Sequence, residues 1–600
     1  MQYQYKNNFI GYFKFYYRIV GKRMIFFFML TILISFLDGL GLAMFIPLLQ
    51  SVSDAGNTGA ADTSSMGELH YLVDFIRSMG FELTLNTVLG SLMILFIAKG
   101  IMRFFQLSYY AALRQYFIKK VRTQLIDNLN GISYNSFLKI ESGRIQNTLT
   151  VDVQRLFQTM KFYFDASQAF VMLATYMLLA FLANYQFAIL VGVGAGLSNL
   201  IYRRIYKVTK KASIALSSKG SDFNSFLGQS TNYFKYLKST NTFAPYAKKL
   251  KKVITETEFL NRKIGNMNAI TTAVKEPMIV TIVTIVIFVQ IRFMGASLGA
   301  IILSLLLFYR ALSFLVMIQN HWQGYIENIG GMNAVATLLD EMASLKEENG
   351  QTQFTNLEKG ITVSNVTFKY GDKTVIDNIS IQIPRRKTVA LVGESGSGKT
   401  TMANMIVGLI KPESGTIYID GTAMDQYDLN SYRSTIGYIS QESVIFSDSI
   451  YNNITFWAEK TPENIERFKE VVKIALLEDF INNQPEHEET KLGDNGILIS
   501  GGQRQRISIA RELYKNTSII VFDEATSALD SETEKSIQEN IEKLYGSFTM
   551  ILIAHRLSTI KTADTIFLLE KGKISASGTF EEMIDKSPRF KKMVSLQGFH

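Results

Sequence analysis

Gly393-Glu394-Ser395-Gly396-Ser397-Gly398-Lys399-Thr400 fits the pattern G-x-x-x-x-G-K-[ST]. It is preceded by Thr388-Val389-Ala390-Leu391-Val392, which reads as a buried strand, and followed by Thr401-Met402-Ala403-Asn404-Met405-Ile406, which reads as the start of a helix. In that setting the backbone N–H groups of a glycine-rich turn form a nest at a helix N-terminus, where the dipole favours phosphate. Lys399 is placed to reach the outer phosphates and Thr400 to ligate Mg²⁺. Further on, Ile519-Ile520-Val521-Phe522-Asp523-Glu524 is an apolar strand that ends in two carboxylates. Alone it is a buried strand with a solvated acidic end. After a phosphate loop it supplies Asp523 for Mg²⁺ and Glu524 to polarise an attacking water.

Between these motifs lies Ile499-Ser500-Gly501-Gly502-Gln503, followed by Arg504-Gln505-Arg506. Two glycines opening a helix again offer bare N–H groups to an anion. Here the chain resembles the ATP-binding cassette (ABC) family, whose signature reads L-S-G-G-Q, with Ile499 in place of the Leu. Gln441 in Tyr438-Ile439-Ser440-Gln441 is similar to the family's Q-loop, Ser527-Ala528-Leu529-Asp530 to its D-loop and His555 to its switch histidine. Tyr370 resembles the aromatic residue that stacks on adenine. The resemblance implies ATP and Mg²⁺ as ligands. Gly393, Ser395, Gly396, Gly398, Lys399, Thr400 and Thr401 would hold the phosphates; Thr400, Gln441 and Asp523 the metal; Glu524, His555 and Gln441 the catalytic roles. It also implies that two cassettes pair head to tail, so that Ser500, Gly501, Gly502 and Gln503 act on the ATP of a second copy of the chain. A heterodimer with a different partner stays open.

Six hundred residues with 47% hydrophobic and only 19% charged content are too many and too apolar for one ordinary soluble domain. The first half contains Met24 to Leu49, Leu83 to Tyr110, Phe162 to Phe181, Phe187 to Ile205, Ala273 to Ile291 and Leu298 to Ile318, each long enough to cross about 30 Å of hydrocarbon as a helix. One such run is read as a buried core helix; six in one half are not. Arg203, Arg204, Lys207, Lys210, Lys211, Lys248, Lys249, Lys251 and Lys252 fall between the fourth and fifth runs, whereas the loop from Gln50 to Glu82 carries only Arg77. By the positive-inside rule the N-terminus, both long loops and the cassette are cytoplasmic, and the net charge of +10 is mostly this signal and not a nucleic-acid footprint. The absence of Cys excludes disulfides, thiolate metal sites and a cysteine nucleophile.

The expected fold is a membrane all-α domain of six transmembrane helices with long cytoplasmic helical extensions, fused to an α/β P-loop cassette. Residues 1–335 form the first domain, 336–360 a linker containing the polar run Asp340 to Gly350, and 361–600 the cassette. Ser142-Gly143 with Asp152-Val153 resembles the first coupling region of ABC exporters, Leu227 to Phe243 falls where the second is expected, and Thr490 to Gly496 is similar to the exporters' T-x-x-G-x-x-G loop. Phe9 to Ile19, aromatic and basic, is expected as an amphipathic helix on the inner membrane surface. The fused order resembles an exporter of the bacterial inner (plasma) membrane, an ATPase coupled to transport.

The substrate is read from three features. Leu69, Leu72, Val73, Ile76 and Met79 at helical spacing suggest an outer-leaflet helix. Lys99, Arg103 and Arg310 lie inside apolar spans, where charge usually faces a cavity. Asp38-Gly39-Leu40-Gly41 with Pro47 is similar to the first-helix pattern of lipid-linked oligosaccharide flippases. Loop packing, snorkelling and a helix kink are the bland alternatives. Together they favour an amphiphilic lipid or glycolipid as substrate, with membrane lipids as partners and no nucleic acid. A multidrug or peptide exporter, an ATP-gated channel and a regulatory ABC ATPase are the competing functions.

Overall fold

In a computed structural model the chain divides into two compact units, Met1–Ile132 with Ser136–Lys346, and Ser133–Asn135 with Glu347–His600. The structure describes residues 5–6, 8–44, 85–183, 185–294, 298–523, 531–553 and 560–596. Pro47, the outer-loop helix expected around Leu72 and Ile76, Glu524, Ser527 to Asp530 and His555 lie outside them.

The first unit is helical: α1 (Phe9–Val20), α2 (Arg23–Ala43), α3 (Leu85–Asn130), two short helices α4 (Tyr134–Phe137) and α5 (Ser142–Asn147), α6 (Val153–Ala183), α7 (Tyr185–Asn232), short α8 (Phe234–Ser239), α9 (Phe243–Met294) and α10 (Leu298–Ser344). Helices are forced here because hydrocarbon offers no partner for backbone N–H and C=O groups, and a helix pairs them within one segment. Among the described residues four helical stretches are long and apolar enough to cross a membrane, Arg23–Gly41, Val88–Asn130, Ser142–Phe181 and Phe243–Val289. Met93, Ile94 and Phe104 on α3 and Val280 and Phe288 on α9 are exposed apolar side chains, the face that hydrocarbon covers. The long loops of the sequence are continuations of these helices, so α3 runs 46 residues and α9 52.

α1 packs one face on protein. Asn8 caps it, its side chain accepting from Gly11 N at 2.7 Å. Tyr12, Phe15, Tyr16 and Ile19, at i, i+3, i+4 and i+7, are buried against Phe117, Tyr163, Phe164 and Tyr325. The Tyr16 hydroxyl donates to Thr159 Oγ1 at 2.9 Å. Its aromatic stripe therefore faces protein, because a buried Tyr needs a polar partner that lipid tails do not offer.

The segment expected to resemble a coupling region is also packed inward. Ser142–Asn147 leads into a π-helical turn, Thr148–Asp152, and Asp152 is wholly buried. Its carboxylate accepts from Ser217 Oγ at 2.6 Å and Asn147 Nδ2 at 2.7 Å. Arg155 donates to Ser213 Oγ at 2.8 Å and to the Glu327 carbonyl at 3.0 Å, so one polar network ties α6, α7 and α10.

α10 continues to Ser344, and the units divide between Lys346 and Glu347, inside the polar run. The second unit holds two sheets. The first is antiparallel, in the order β2 (Lys373–Pro384), β1 (Gly360–Tyr370), β4 (Ser414–Ile419), β5 (Thr422–Ala423). The second runs β10 (Lys573–Gly578), β9 (Thr565–Glu570), β3 (Thr388–Gly393), β8 (Thr549–Ile553), β7 (Ile519–Asp523), β6 (Ile436–Ile439). All neighbours in it are parallel except β10 with β9. Every residue of β3, β7 and β8 is buried, which explains why these strands read as continuous apolar runs without alternation.

Close helix approach in the first unit rests on Gly330, where an added Cβ would lie 2.1 Å from the Ser213 carbonyl oxygen of α7. Gly330→Ala is expected to cost about 1–3 kcal/mol and lower the thermal midpoint of the detergent-solubilised protein. Gly265→Ala, on α9 where a Cβ meets nothing within 4 Å, should leave the midpoint unchanged or raise it slightly.

Candidate functional site

The phosphate loop joins β3 to α11 (Lys399–Ile406). Gly398 caps that helix at φ +108°, and a Cβ there would sit 2.7 Å from Ile376 Cδ1. At Gly393, φ +154°, a Cβ would lie 2.2 Å from the Leu569 carbonyl oxygen. Neither position admits a side chain, so the pattern's two fixed glycines have a steric cause. Ser395 and Gly396 form the exposed tip, Thr400 is exposed in the first helical turn and Thr401 is half-buried. Lys399 is only 6% exposed, and its Nζ donates to the carbonyls of Gly393 at 2.9 Å and Glu394 at 3.0 Å. Ser397 Oγ is buried in the loop with no hydrogen-bond partner among the described residues. A buried orphan hydroxyl beside a lysine and a bare-backbone nest fits an incoming phosphate oxygen.

Strand polarity brings the other groups to the same edge. In a parallel sheet the carboxyl ends lie together, and ligands bind outside them. Asp523 ends β7, is 8% exposed and is paired in register with Ile553 of β8, whose neighbour on the other side is β3. The Tyr438 hydroxyl of β6 donates to Asp523 Oδ2 at 3.1 Å and is 3.4 Å from Asn404 Oδ1 of α11. Burial, then the Asp523 charge, pushes the Tyr438 phenol far above its ordinary value, so it stays a donor. Tyr438 is a positioning residue that sequence reading passed over; its only signal was its place three residues before Gln441. Gln441 is exposed just after β6, and Tyr370, 43% exposed at the end of β1, packs edge-to-face on Phe368.

The signature lies at the start of α12 (Gly501–Tyr514). Ser500 is its N-cap in a capping box: Ser500 Oγ accepts from Gln503 N at 3.2 Å, and Gln503 Oε1 accepts from Ser500 N at 2.9 Å. Gln503 is thus occupied in the cap. Ser500 is exposed and keeps its O–H proton for an external acceptor.

The chain matches the ABC transporter domain over residues 376–527 and the ABC transporter transmembrane region over residues 24–316. It is 31% identical over 498 residues to the heterocyst differentiation ATP-binding protein HepA of Nostoc sp., covering 80% of this chain and 79% of that protein. The chain belongs to the ABC transporters. It is also 40% identical over 245 residues to the ATP-dependent lipid A-core flippase of Ralstonia nicotianae, and 34% identical over 326 residues to that of Cupriavidus pinatubonensis. These two alignments cover 40% and 53% of this chain, and 41% and 54% of the flippases, about half their length. In fold it is similar to a bacterial Atm1-family ABC exporter solved with ATP bound, with a TM-score of 0.77, 21% identity, and 97% of this chain and 99% of that chain covered. This ABC transporter therefore carries its transmembrane region and its ATP-binding domain on one chain and is an integral membrane protein.

Its intramembrane charges are arranged differently from the sequence expectation. Lys99 of α3 is ion-paired with Asp38 of α2, whose side chain is 4% exposed. The other carboxylate oxygen, Asp38 Oδ2, accepts from the Tyr176 hydroxyl of α6 at 2.8 Å, and Arg310 of α10 is a further neighbour of that hydroxyl. Four helices therefore meet in one ionic cluster. Arg103, one turn beyond Lys99, is exposed and has no ion pair among the described residues. Tyr176, and Asp38 as a counter-ion, were not foreseen, because nothing local in either stretch marks a partner on another helix.

Removing the Tyr438 hydroxyl deletes one hydrogen bond to the Asp523 carboxylate, which sequence reading proposes as a metal ligand. Tyr438→Phe is expected to weaken Mg·ATP binding about 3- to 10-fold, on the order of 1 kcal/mol, with the fold intact. Titration of purified protein with a fluorescent ATP analogue, with and without Mg²⁺, checks this, and the loss should be confined to the Mg²⁺ arm.

Proposed function

We propose that two copies of this chain form a pump that uses ATP to move an anionic amphiphile, a lipid or glycolipid with a phosphate-bearing head group, out of the cytoplasmic side of the bacterial inner membrane. The observation that carries the substrate class is the Asp38–Lys99–Tyr176–Arg310 cluster. Lys99 and Asp38 cancel, so Arg310 leaves the group one positive charge in excess. A cation is costly in hydrocarbon unless it faces a cavity or a counter-charge, and guanidinium pairs strongly with phosphate where water is scarce. The flippases to which the chain is similar are named for lipid A-core, in keeping with such a ligand.

At the cassette, Lys399, Ser397 and the loop N–H groups hold the outer phosphates, and Tyr370 offers a face to the base. Thr400, Asp523 and Gln441 have the oxygen chemistry Mg²⁺ requires, and the ion supplies positive charge to the phosphates. Glu524 and His555 would orient the attacking water. Ser500 is exposed at the start of α12, beside Ile497 at 78% and Leu498 at 72% exposure, an apolar patch suited to cover by a second cassette. ATP drives the cycle because it binds the closed pair of cassettes better than the open one.

Glu524→Gln is expected to keep ATP affinity within about twofold while turnover falls by two orders of magnitude or more, since the carboxylate acts on water and the lysine on phosphate. Single-turnover ATPase assays on purified protein check it, and unchanged turnover removes Glu524 from the mechanism.

The substrate reading is tested by lipid flipping in proteoliposomes. Arg310→Ala should cut flipping of an anionic lipid at least about tenfold while basal ATPase holds within about twofold. Lys99→Met alone should be worse, stranding Asp38 without its cation, and Lys99→Met with Asp38→Leu should recover part of the loss. Unchanged anionic-lipid flipping by Arg310→Ala, with efficient export of a neutral or cationic drug by wild type, would instead establish the multidrug reading.

A further inference from the structure

The six-stranded sheet has a second edge. Opposite the phosphate loop, at the amino ends of β3, β6, β7 and β8, lies a cavity of about 250 Å³ within the second unit. Arg385 and Arg386 line it, immediately before β3, together with Thr517 and Ser518 before β7. The amides of Asn356 and Asn516 complete the polar wall, and no Asp, Glu or aromatic residue is among the lining.

Two features of this wall have no structural use as they stand. Thr517 is 9% exposed, and the hydroxyls of Thr517 and Ser518 are both buried without a hydrogen-bond partner among the described residues. Buried hydroxyls are nearly always paired, so two orphans lining one cavity require an explanation. The guanidinium groups of Arg385 and Arg386 make no ion pair or hydrogen bond among the described residues. Arg386 is moreover held at φ +59°, its N–H donating to Thr549 Oγ1 at 2.9 Å. A glycine would sit there without strain, whereas arginine is a costly choice unless its side chain is needed at that spot.

We propose that this cavity is a second anion site, specific for a small phosphorylated anion: inorganic phosphate or a short phosphomonoester. Two guanidinium groups supply charge and forked donors for phosphate oxygens, and the orphan hydroxyls of Thr517 and Ser518 supply the remaining donors. A nucleotide is excluded on size and lining, since the volume falls below that of ordinary drug-sized pockets and no ring faces it. The site is separate from the ATP site because parallel strands put their two ends on opposite edges of the sheet.

The test uses the full-length protein in nanodiscs, with the ATP site filled by Mg²⁺ and a non-hydrolysable ATP analogue so that Lys399 cannot report. Inorganic phosphate and glycerol 3-phosphate are titrated separately by equilibrium dialysis. Wild type is expected to bind one of them saturably at one site per chain, and whichever binds tighter identifies the source. Arg385→Ala with Arg386→Gly should weaken that binding at least about tenfold. Because Arg386→Gly relieves the positive φ, it should fold with a thermal midpoint in phosphate-free buffer equal to or above wild type, and lose the phosphate-induced rise. Thr517→Val, which keeps the side-chain shape, should weaken binding several-fold by an independent route. No saturable binding of either anion to wild type, or equal binding by the double variant, overturns the assignment.

Discussion

The parallel pairing of β3 with β8 and of β8 with β7 is the constraint on which the ATPase domain depends. Adjacent strands lie about 4.8 Å apart, so the end of β7 is held about 10 Å across the sheet from the end of β3. The register Leu391 with Ile553 and Asp523 with Ile553 leaves no freedom to slide, because every side chain of the three strands is packed in a core. Lys399, at the start of the helix that leaves β3, and Asp523, at the end of β7, are thus fixed relative to each other by strand geometry alone. Tyr438 extends the same logic one strand further, since β6 pairs with β7 and delivers its hydroxyl to the Asp523 carboxylate.

What the sequence made legible is what short-range chemistry dictates. A phosphate nest needs consecutive N–H groups and glycines within eight positions, so Gly393 to Thr400 carries its function in one stretch. A fully buried parallel strand is apolar throughout, so Ile519 to Phe522 announced itself and its terminal Asp523. Long spans declare themselves by length. Features that depend on pairing between distant stretches stayed hidden. Asp38 and Lys99 are 61 positions apart, and Tyr176 is 138 from Asp38. Lys99 read alone is an unpaired cation waiting for a ligand; its counter-ion appears only once α2 and α3 are packed. The packing partners of Phe9 to Ile19 stayed hidden in the same way, since the aromatic wall of Tyr163, Trp322 and Tyr325 comes from distant stretches.

The membrane cluster shows how a helical domain can hold charge without surrendering stability. Asp38 is nearly inaccessible, and an isolated carboxylate there would be very costly. With Lys99 on one oxygen and the Tyr176 hydroxyl on the other, its main acceptor sites are filled. The cluster thus ties α2, α3, α6 and α10 together through polar contacts. The anionic substrate proposed above would act at Arg310, next to that cluster, and would bias helix arrangement only by binding one arrangement better than the other.

The two edges of the cassette sheet solve anion binding by different means. At the carboxyl edge a strand gives way to a helix, and the helix N-terminus supplies unpaired N–H groups and a favourable dipole, so one lysine suffices. At the amino edge no helix begins beside β3: the backbone N–H of Arg386 is taken by Thr549 and that of Met550 by the Lys387 carbonyl. Any charge stabilisation there has to come from side chains. Two adjacent arginines, one of them at a backbone angle that glycine would adopt freely, together with hydroxyls left without protein partners, are what that requirement looks like in sequence and in structure.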